Sequence, residues 1–201
     1  MKTELKGLLV LGLVLTGSVV AGSPVLTIQV SNQAEVDGIT LMQAEKTATG
    51  IFEKAGIETR WIEPAAGGSF PLSHIQLKIL SSVMSLRSGL PDYFPDSAMG
   101  LAPGNGPDRQ SAYVFYDRVE AVARNHIADA AQILGHAIAH EIGHLLLNDQ
   151  SHSSAGIMRG VWNFWDLQNA SYGYLLFTPQ QVKVMREEVG RRSRQQEPLA
   201  K

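Results

Sequence analysis

The pattern of apolar and polar positions predicts alternating strands and helices in the first half of the chain. Short segments rich in β-branched residues alternate between apolar and polar positions, which favours strands at residues 25–30, 57–62 and 74–80. Between the first two, apolar residues recur at helical spacing over residues 38–55, and Gly56 is suited to end that helix. This order of elements predicts an α+β fold, with a mixed, twisted β-sheet packed on helices.

The second half is predicted to hold two long helices. Residues 127–147 are rich in alanine and leucine and contain no proline, which favours a helix. A C-terminal helix over residues 178–192 is indicated by Thr178 as its cap and Pro179 at its first position.

Two further segments lie between the strands and these helices. Residues 81–110 hold four prolines and four glycines, so we expect a long loop with about one helical turn. Residues 111–119 are predicted to form a strand. It is either an edge strand, able to pair with an extended peptide, or an internal strand of the core.

Composition restricts the classes of function. The chain has 201 residues, of which 44% are hydrophobic and 18% charged, enough for one domain with a proper core. The net charge of −2 and pI near 6.3 show no basic excess, which argues against a nucleic-acid partner. Cysteine is absent, so histidine and carboxylate side chains are the candidate ligands for a metal.

The first residues have the composition of an export signal. A short, weakly positive start precedes an apolar run over residues 7–20, and small residues follow at Ala21 and Gly22. We therefore expect a signal peptide over residues 1–22, a single mature domain over residues 23–201, and a secreted or periplasmic protein with no membrane attachment after cleavage. The alternative is an uncleaved anchor, although the run is short for a bilayer span.

The strongest chemical signal is an H-E-x-x-H motif formed by His140, Glu141 and His144. Four residues turn a helix through about 400°, so both imidazoles project from one face, roughly 6 Å apart along the axis. Two imidazoles so placed can bind one Zn²⁺, while Glu141 lies about 100° round the helix and can reach a water on the metal.

A catalytic zinc site needs a third protein ligand. His152 is the leading candidate, because it follows His144 by eight residues and the chain can reverse at Asn148. The alternatives are Asp149, a glutamate of the C-terminal helix (Glu187 or Glu188), or no third protein ligand.

The other histidines have simpler interpretations. His136 precedes His140 by one turn, but the outer pair of three such histidines would be about 12 Å apart, so His136 is predicted to be packed or to support the ligands. His74 and His126 are expected at the surface.

The segment from His140 to Met158 resembles the active-site segment of the metzincin metallopeptidases. The shared features are the H-E-x-x-H motif, a chain reversal, a third histidine and a turn that carries a methionine beneath the metal. By this resemblance Met158 is the Met-turn residue, and the fold is zincin-like with an active-site helix and a C-terminal helix. One departure is that Leu147 and Gln150 occupy the places of the family's glycine and third histidine.

The sequence therefore predicts a zinc metallopeptidase that acts on a peptide or protein. Glu141 is the expected general base toward a zinc-bound water. Tyr172 and Tyr174 are candidate oxyanion donors, and the aromatic residues between 162 and 177 form either half of a core or a substrate wall. Two alternatives remain: a zinc hydrolase of another amide or ester, and a non-catalytic, zinc-stabilised binding module.

Overall fold

The computed structural model describes residues 23–64, 71, 74–87, 98–103, 110–125, 128–147 and 152–194. The signal peptide expected at residues 1–22 lies outside this range, as do Asn148, Asp149 and His126. Among the described residues, no helix combines the length and apolar character that spanning a bilayer requires.

A five-stranded, mostly parallel sheet forms the framework, with the strand order β2-β1-β3-β5-β4. The first four strands in this order are parallel to one another, and the edge strand β4 runs antiparallel to β5. The strands are β1 (Val25–Asn32), β2 (Glu58–Ile62), β3 (Ile75–Leu80), β4 (Gly100–Leu101) and β5 (Ser111–Phe115). The predicted mixed sheet packed on helices is confirmed.

Six helices connect and cover these strands. They are α1 (Gly38–Lys54), α2 (Ser82–Arg87), α3 (Tyr116–Asn125), α4 (Ala130–Leu147), α5 (Phe164–Ser171) and α6 (Pro179–Arg194). Helix α1 begins where the Asp37 side chain accepts hydrogen bonds from the backbone of Ile39 and Thr40. It ends at Lys54, and Gly56 beyond its cap has a φ of 68°, a left-handed conformation that glycine adopts without strain.

Helix α4 is the central element of the core. Every residue from Ile133 to Leu146 is buried, and the helix packs against α1, α3, α6 and β5. Gly135 permits the close approach of α1, because a Cβ at this position would lie 2.6 Å from the backbone oxygen of Ala44. The buried polar side chains of this helix are three histidines and Glu141. Buried polar groups need partners, so these four side chains are the candidates for a site.

The structure corrects the strand predicted over residues 111–119. The strand ends at Phe115 and helix α3 begins at Tyr116. Tyr116 and Val119 are three residues apart, a spacing that places both on one face of a helix but on opposite faces of a strand, and Val119 is fully buried on α3. Strand β5 lies between β3 and β4, so the internal-strand alternative is confirmed and the edge-strand alternative is wrong.

The loop expected over residues 81–110 contains more regular structure than predicted. It includes α2 and the two-residue strand β4. Strand β4 depends on partners distant in sequence, since the amide of Phe115 donates to the backbone oxygen of Met99 at 2.8 Å. Such non-local pairing has no signature in a two-residue segment.

Candidate metal centre

Helix α4 places His140 and His144 side by side at the base of a cleft. Both side chains are buried, and their ring centroids lie 4.8 Å apart. The two Nε2 atoms are 3.1 Å apart. Two nitrogens bound to one tetrahedral zinc would be separated by about 3.4 Å, so the observed spacing fits a shared metal.

His152 completes a cluster of three imidazoles. Its ring centroid lies 5.4 Å from that of His140 and 5.0 Å from that of His144. One ring nitrogen from each of the three side chains lies within 4.8 Å of the others. His152 is exposed while the other two are buried, so the cluster opens toward solvent on one side. The three histidines could therefore hold a metal ion.

The orientation of His140 prepares it as a ligand. Its Nδ1 donates a hydrogen bond of 2.7 Å to the backbone oxygen of Ile157, which leaves the lone pair of Nε2 directed at the cluster. Burial lowers the pKa of His140 to about 4. The hydrogen bond to Ile157 raises this pKa by a smaller amount, and the nearby His144 and His152 lower it further. The imidazole is thus neutral at ordinary pH, as metal binding requires.

A tight turn carries Met158 beneath the cluster. Gly156 has a φ of 72°, and the amide of Arg159 donates to the backbone oxygen of Gly156 at 3.1 Å. The Met158 side chain is buried against Gly143, where a Cβ would lie only 2.6 Å from the sulfur. Glycine at 143 therefore lets the thioether pack under the helical turn between His140 and His144.

Glu141 points into the same cleft. Its side chain is buried, and burial raises its pKa to about 8. The carboxyl group packs against strand β4, because a Cβ on Gly100 would lie 2.6 Å from Glu141 Oε1. The edge of the sheet and the carboxyl group thus form one wall of the cleft.

The cleft has a volume of about 560 Å³ and mostly apolar walls. Besides Glu141 and the three histidines, Arg159 is the one ionisable side chain among its described lining residues. The larger apolar residues that line the cleft are Met99, Leu101, Val122, Val161, Trp162 and Leu167.

The alternative third ligands on α6 are engaged or placed elsewhere. Glu188 accepts hydrogen bonds of 2.7 to 2.8 Å from Arg191 and Arg192. Glu187 lines a separate groove of about 900 Å³ between β1 and α6. Within the described part of the chain, the three histidines are the one group of His, Asp or Glu side chains close enough to share a metal. Asp149 lies outside that part.

His136 is packed, as predicted. It is buried, and its Nδ1 donates to the backbone oxygen of Gln132 at 2.8 Å. Burial lowers its pKa, so the ring is neutral. His74, expected at the surface, is half-buried, and burial together with the nearby charge of Arg60 lowers its pKa.

The two tyrosines proposed as oxyanion donors lie away from the cleft. Tyr172 is 66% exposed and lines a different cavity beside Lys46 and Lys54. Tyr174 is 72% exposed, with its ring 6.5 Å from that of Tyr172. Neither tyrosine is among the residues that line the cleft at the three histidines, here called the metal cleft.

The aromatic cluster between residues 162 and 177 divides into three groups. Phe177 joins the core and Trp162 lines the cleft, while the remaining rings are exposed. The cluster as a whole is therefore not one half of the core, and it is not a substrate wall either.

The contacts of three residues at the site have no sequence signal, although Trp162 itself belongs to the aromatic cluster noted from the sequence. Trp162 donates from its indole nitrogen to the backbone oxygen of Ile157 at 3.1 Å, and its ring packs edge-on 5.9 Å from His140. Arg159 lies 3.5 Å from the buried carboxylate of Asp166. The spacing of these residues along the chain matches no motif, and only the folded turn brings them together.

Comparison with known proteins adds no family assignment. A scan against protein-family models finds no match, and a search of curated proteins finds none either. The fold and the site together define an α/β protein with a three-histidine cluster that could bind a metal ion.

Proposed function

We propose that this protein is an exported, zinc-dependent metallopeptidase of the metzincin type. The observation that carries the proposal is the convergence of three imidazoles and one buried carboxyl group in a single cleft. The turn at Met158, packed against Gly143, supports the resemblance to that family. The proposal of export is based only on the apolar run over residues 7–20 of the sequence.

Zinc is the proposed metal because three imidazoles are a common ligand set for catalytic zinc, with a fourth position left open. The exposure of His152 provides that opening. Bound there, zinc supplies Lewis acidity that polarises a carbonyl group and makes water more acidic. Imidazoles also suit copper, nickel and iron, so the metal content of the purified protein is part of the test.

Glu141 is the proposed general base and acid. Its carboxylate takes a proton from the attacking water as the new C–O bond forms, and then passes this proton to the leaving amine as the C–N bond breaks. Burial raises its pKa to about 8 and favours the protonated form, while a nearby cation favours the carboxylate. These opposing effects suit a group that must both accept and donate a proton at neutral pH.

The geometry of the cleft favours a polypeptide over a compact substrate. Strand β4 is the last in the sheet order, and Gly100 and Leu101 line the cleft. An extended chain can add to such an edge by backbone hydrogen bonding, with alternate side chains directed toward the apolar walls.

The alternative of a non-peptide amide or ester hydrolase uses the same residues and differs only in substrate. The alternative of a non-catalytic module is less favoured, because structural zinc sites are usually closed and have no need of a carboxyl group in an open cleft.

The direct test replaces Glu141 with Gln. We expect E141Q to retain zinc and to lose nearly all hydrolysis of unfolded casein. Mass spectrometry of the cleavage products measures this hydrolysis. E53Q, which changes an exposed glutamate on α1, is the matched control and should behave as wild type. Undiminished hydrolysis by E141Q would refute the role of Glu141, and cleavage only of small esters or amides would favour the other hydrolase.

A further inference from the structure

Large apolar side chains are exposed in an unusual concentration beside the cleft. Nine large hydrophobic residues are exposed among the described residues. Three of them lie within positions 161–165, next to the cleft, whereas Tyr172 and Tyr174 lie away from it. Exposed single apolar residues are common on proteins, but a contiguous group next to a candidate site indicates an interaction surface.

Three of these side chains lie within five residues of one another at the start of α5 and are here called the aromatic ledge: Val161, Phe164 and Trp165. Their exposed fractions are 68%, 48% and 68%. The rings of Phe164 and Trp165 pack edge-on with centroids 5.4 Å apart. Val161 also lines the metal cleft, and Phe164 precedes Leu167, another cleft residue, by one turn of α5. The ledge is therefore a continuation of the cleft wall.

The ledge is held rigidly by the start of α5. The Asn163 side chain accepts hydrogen bonds of 2.8 and 3.1 Å from the amides of Trp165 and Asp166, and Asp166 accepts one of 3.0 Å from the amide of Asn163. The buried Asp166 carboxylate also lies 3.5 Å from Arg159, which lines the cleft. A surface ordered before binding loses less conformational entropy when its ligand arrives.

We propose that the aromatic ledge binds apolar side chains of an extended polypeptide substrate where that chain leaves the metal cleft. This inference rests on the proposed function and adds a second, non-catalytic contact for the substrate. Val161 belongs to both surfaces, so one extended strand can contact the cleft and the ledge without a break.

Size and charge argue for a polypeptide over two other occupants. The two aromatic side chains offer about 150–250 Å² each, well short of the roughly 800 Å² per partner that a stable dimer buries. The segment from Val161 to Ser171 contains no lysine or arginine, so it lacks the cations that usually accompany docking on an anionic membrane.

The test measures binding separately from turnover. Fluorescein-labelled, unfolded β-casein is titrated with zinc-loaded full-length E141Q, and fluorescence anisotropy reports the dissociation constant. In the same background, F164S/W165S removes the ledge aromatics and F164Y/W165Y keeps two aromatic rings. I39S/M42S removes two exposed apolar side chains from α1 and is the matched control.

We expect F164S/W165S to weaken casein binding by about tenfold or more, with little change in F164Y/W165Y and I39S/M42S. Equal affinity in all four proteins would overturn the proposal. Loss of binding to phosphatidylcholine vesicles with casein binding unchanged would assign the ledge to a membrane surface instead. A dimer that F164S/W165S converts to monomer in sedimentation would assign it to a second copy. If E141Q binds casein through the ledge but the wild-type protein hydrolyses nothing, the ledge proposal stands and the proposed peptidase activity is refuted.

Discussion

The ring of His140 and the backbone oxygen of Ile157 are joined by a hydrogen bond of 2.7 Å, which ties the ligand-bearing helix to the turn beneath it. Because the same turn positions Met158, the helix and the turn are a single unit at the candidate metal centre. Changes in either element are therefore expected to affect metal binding.

Removing the third imidazole is expected to weaken metal binding strongly. His152 is exposed, so H152A should fold normally. It should lower zinc affinity by about 10²-fold or more, because the loss of a group that only supports a ligand already costs about 10- to 100-fold. Competition with a chromophoric chelator gives the affinity. H74A is the control, because His74 is not part of the cluster. Equal affinities in H152A and wild type would assign the third ligand to another residue.

Gly160 provides a subtler test of His152. A Cβ at position 160 would lie 2.7 Å from His152 Nδ1, so G160A should push the imidazole away from the cluster. The ring is exposed and can move at little cost. We therefore expect lower zinc affinity with a melting temperature of the metal-free protein close to that of wild type. A large loss of stability with unchanged affinity would contradict this account.

Gly143 tests the packing of Met158. A Cβ at position 143 would lie 2.6 Å from the Met158 sulfur and 2.9 Å from the Phe177 ring, both in the core. G143A should lower the free energy of unfolding by about 1–3 kcal/mol, as overpacking does.

Chemical denaturation of the metal-free proteins gives the measurement. The matched control is G50A on α1, where a Cβ meets nothing within 4 Å. It should stabilise the helix by about 0.5–1 kcal/mol. In a double-mutant cycle, M158A should reduce the cost of G143A, and strict additivity would show that the two side chains do not collide.

The buried carboxyl group of Glu141 is expected to make the metal-free protein less stable as pH rises. Its folded pKa is about 8 against an ordinary value of 4.5, so between these values the folded state holds a proton that the unfolded state has lost. The free energy of unfolding should then fall by up to about 1.4 kcal/mol per pH unit from pH 6.5 to 8.

Restricting the titration to pH above 6.5 avoids the opposite effect of His140. The pKa of His140 is lowered to about 4, so its contribution to stability is lost only as pH falls below 6.5. E141Q should remove the alkaline decline. A decline of equal slope in metal-free E141Q and wild type would show that another group is responsible.

The elements with local signals were predictable from the sequence, and those with non-local causes were not. Helix α4, strand β1 and the start of α6 carry their own periodicity and caps, so their existence follows from neighbouring residues. Strand β4 exists because β5 pairs with it, and α3 replaced a strand because Val119 packs on a helical face.

The candidate site shows the same division. The i, i+4 spacing of His140 and His144 indicates two ligands before any fold is known. The place of His152 beside them depends on a connection whose length in residues departs from the metzincin pattern, and Trp162 and Arg159 reach the site through the separate turn at Met158. Spacing along a helix predicts geometry, whereas spacing across a turn does not.

Zinc-edge X-ray absorption on the purified protein tests the central claim most directly, with metal content measured on the same samples. We expect about one zinc per chain, bound by three imidazole nitrogens at about 2.0–2.1 Å, in both wild type and E141Q. H140A and H144A should lose this metal. A protein that purifies and reconstitutes without stoichiometric metal, or a zinc whose spectrum lacks imidazole scattering, would contradict the account.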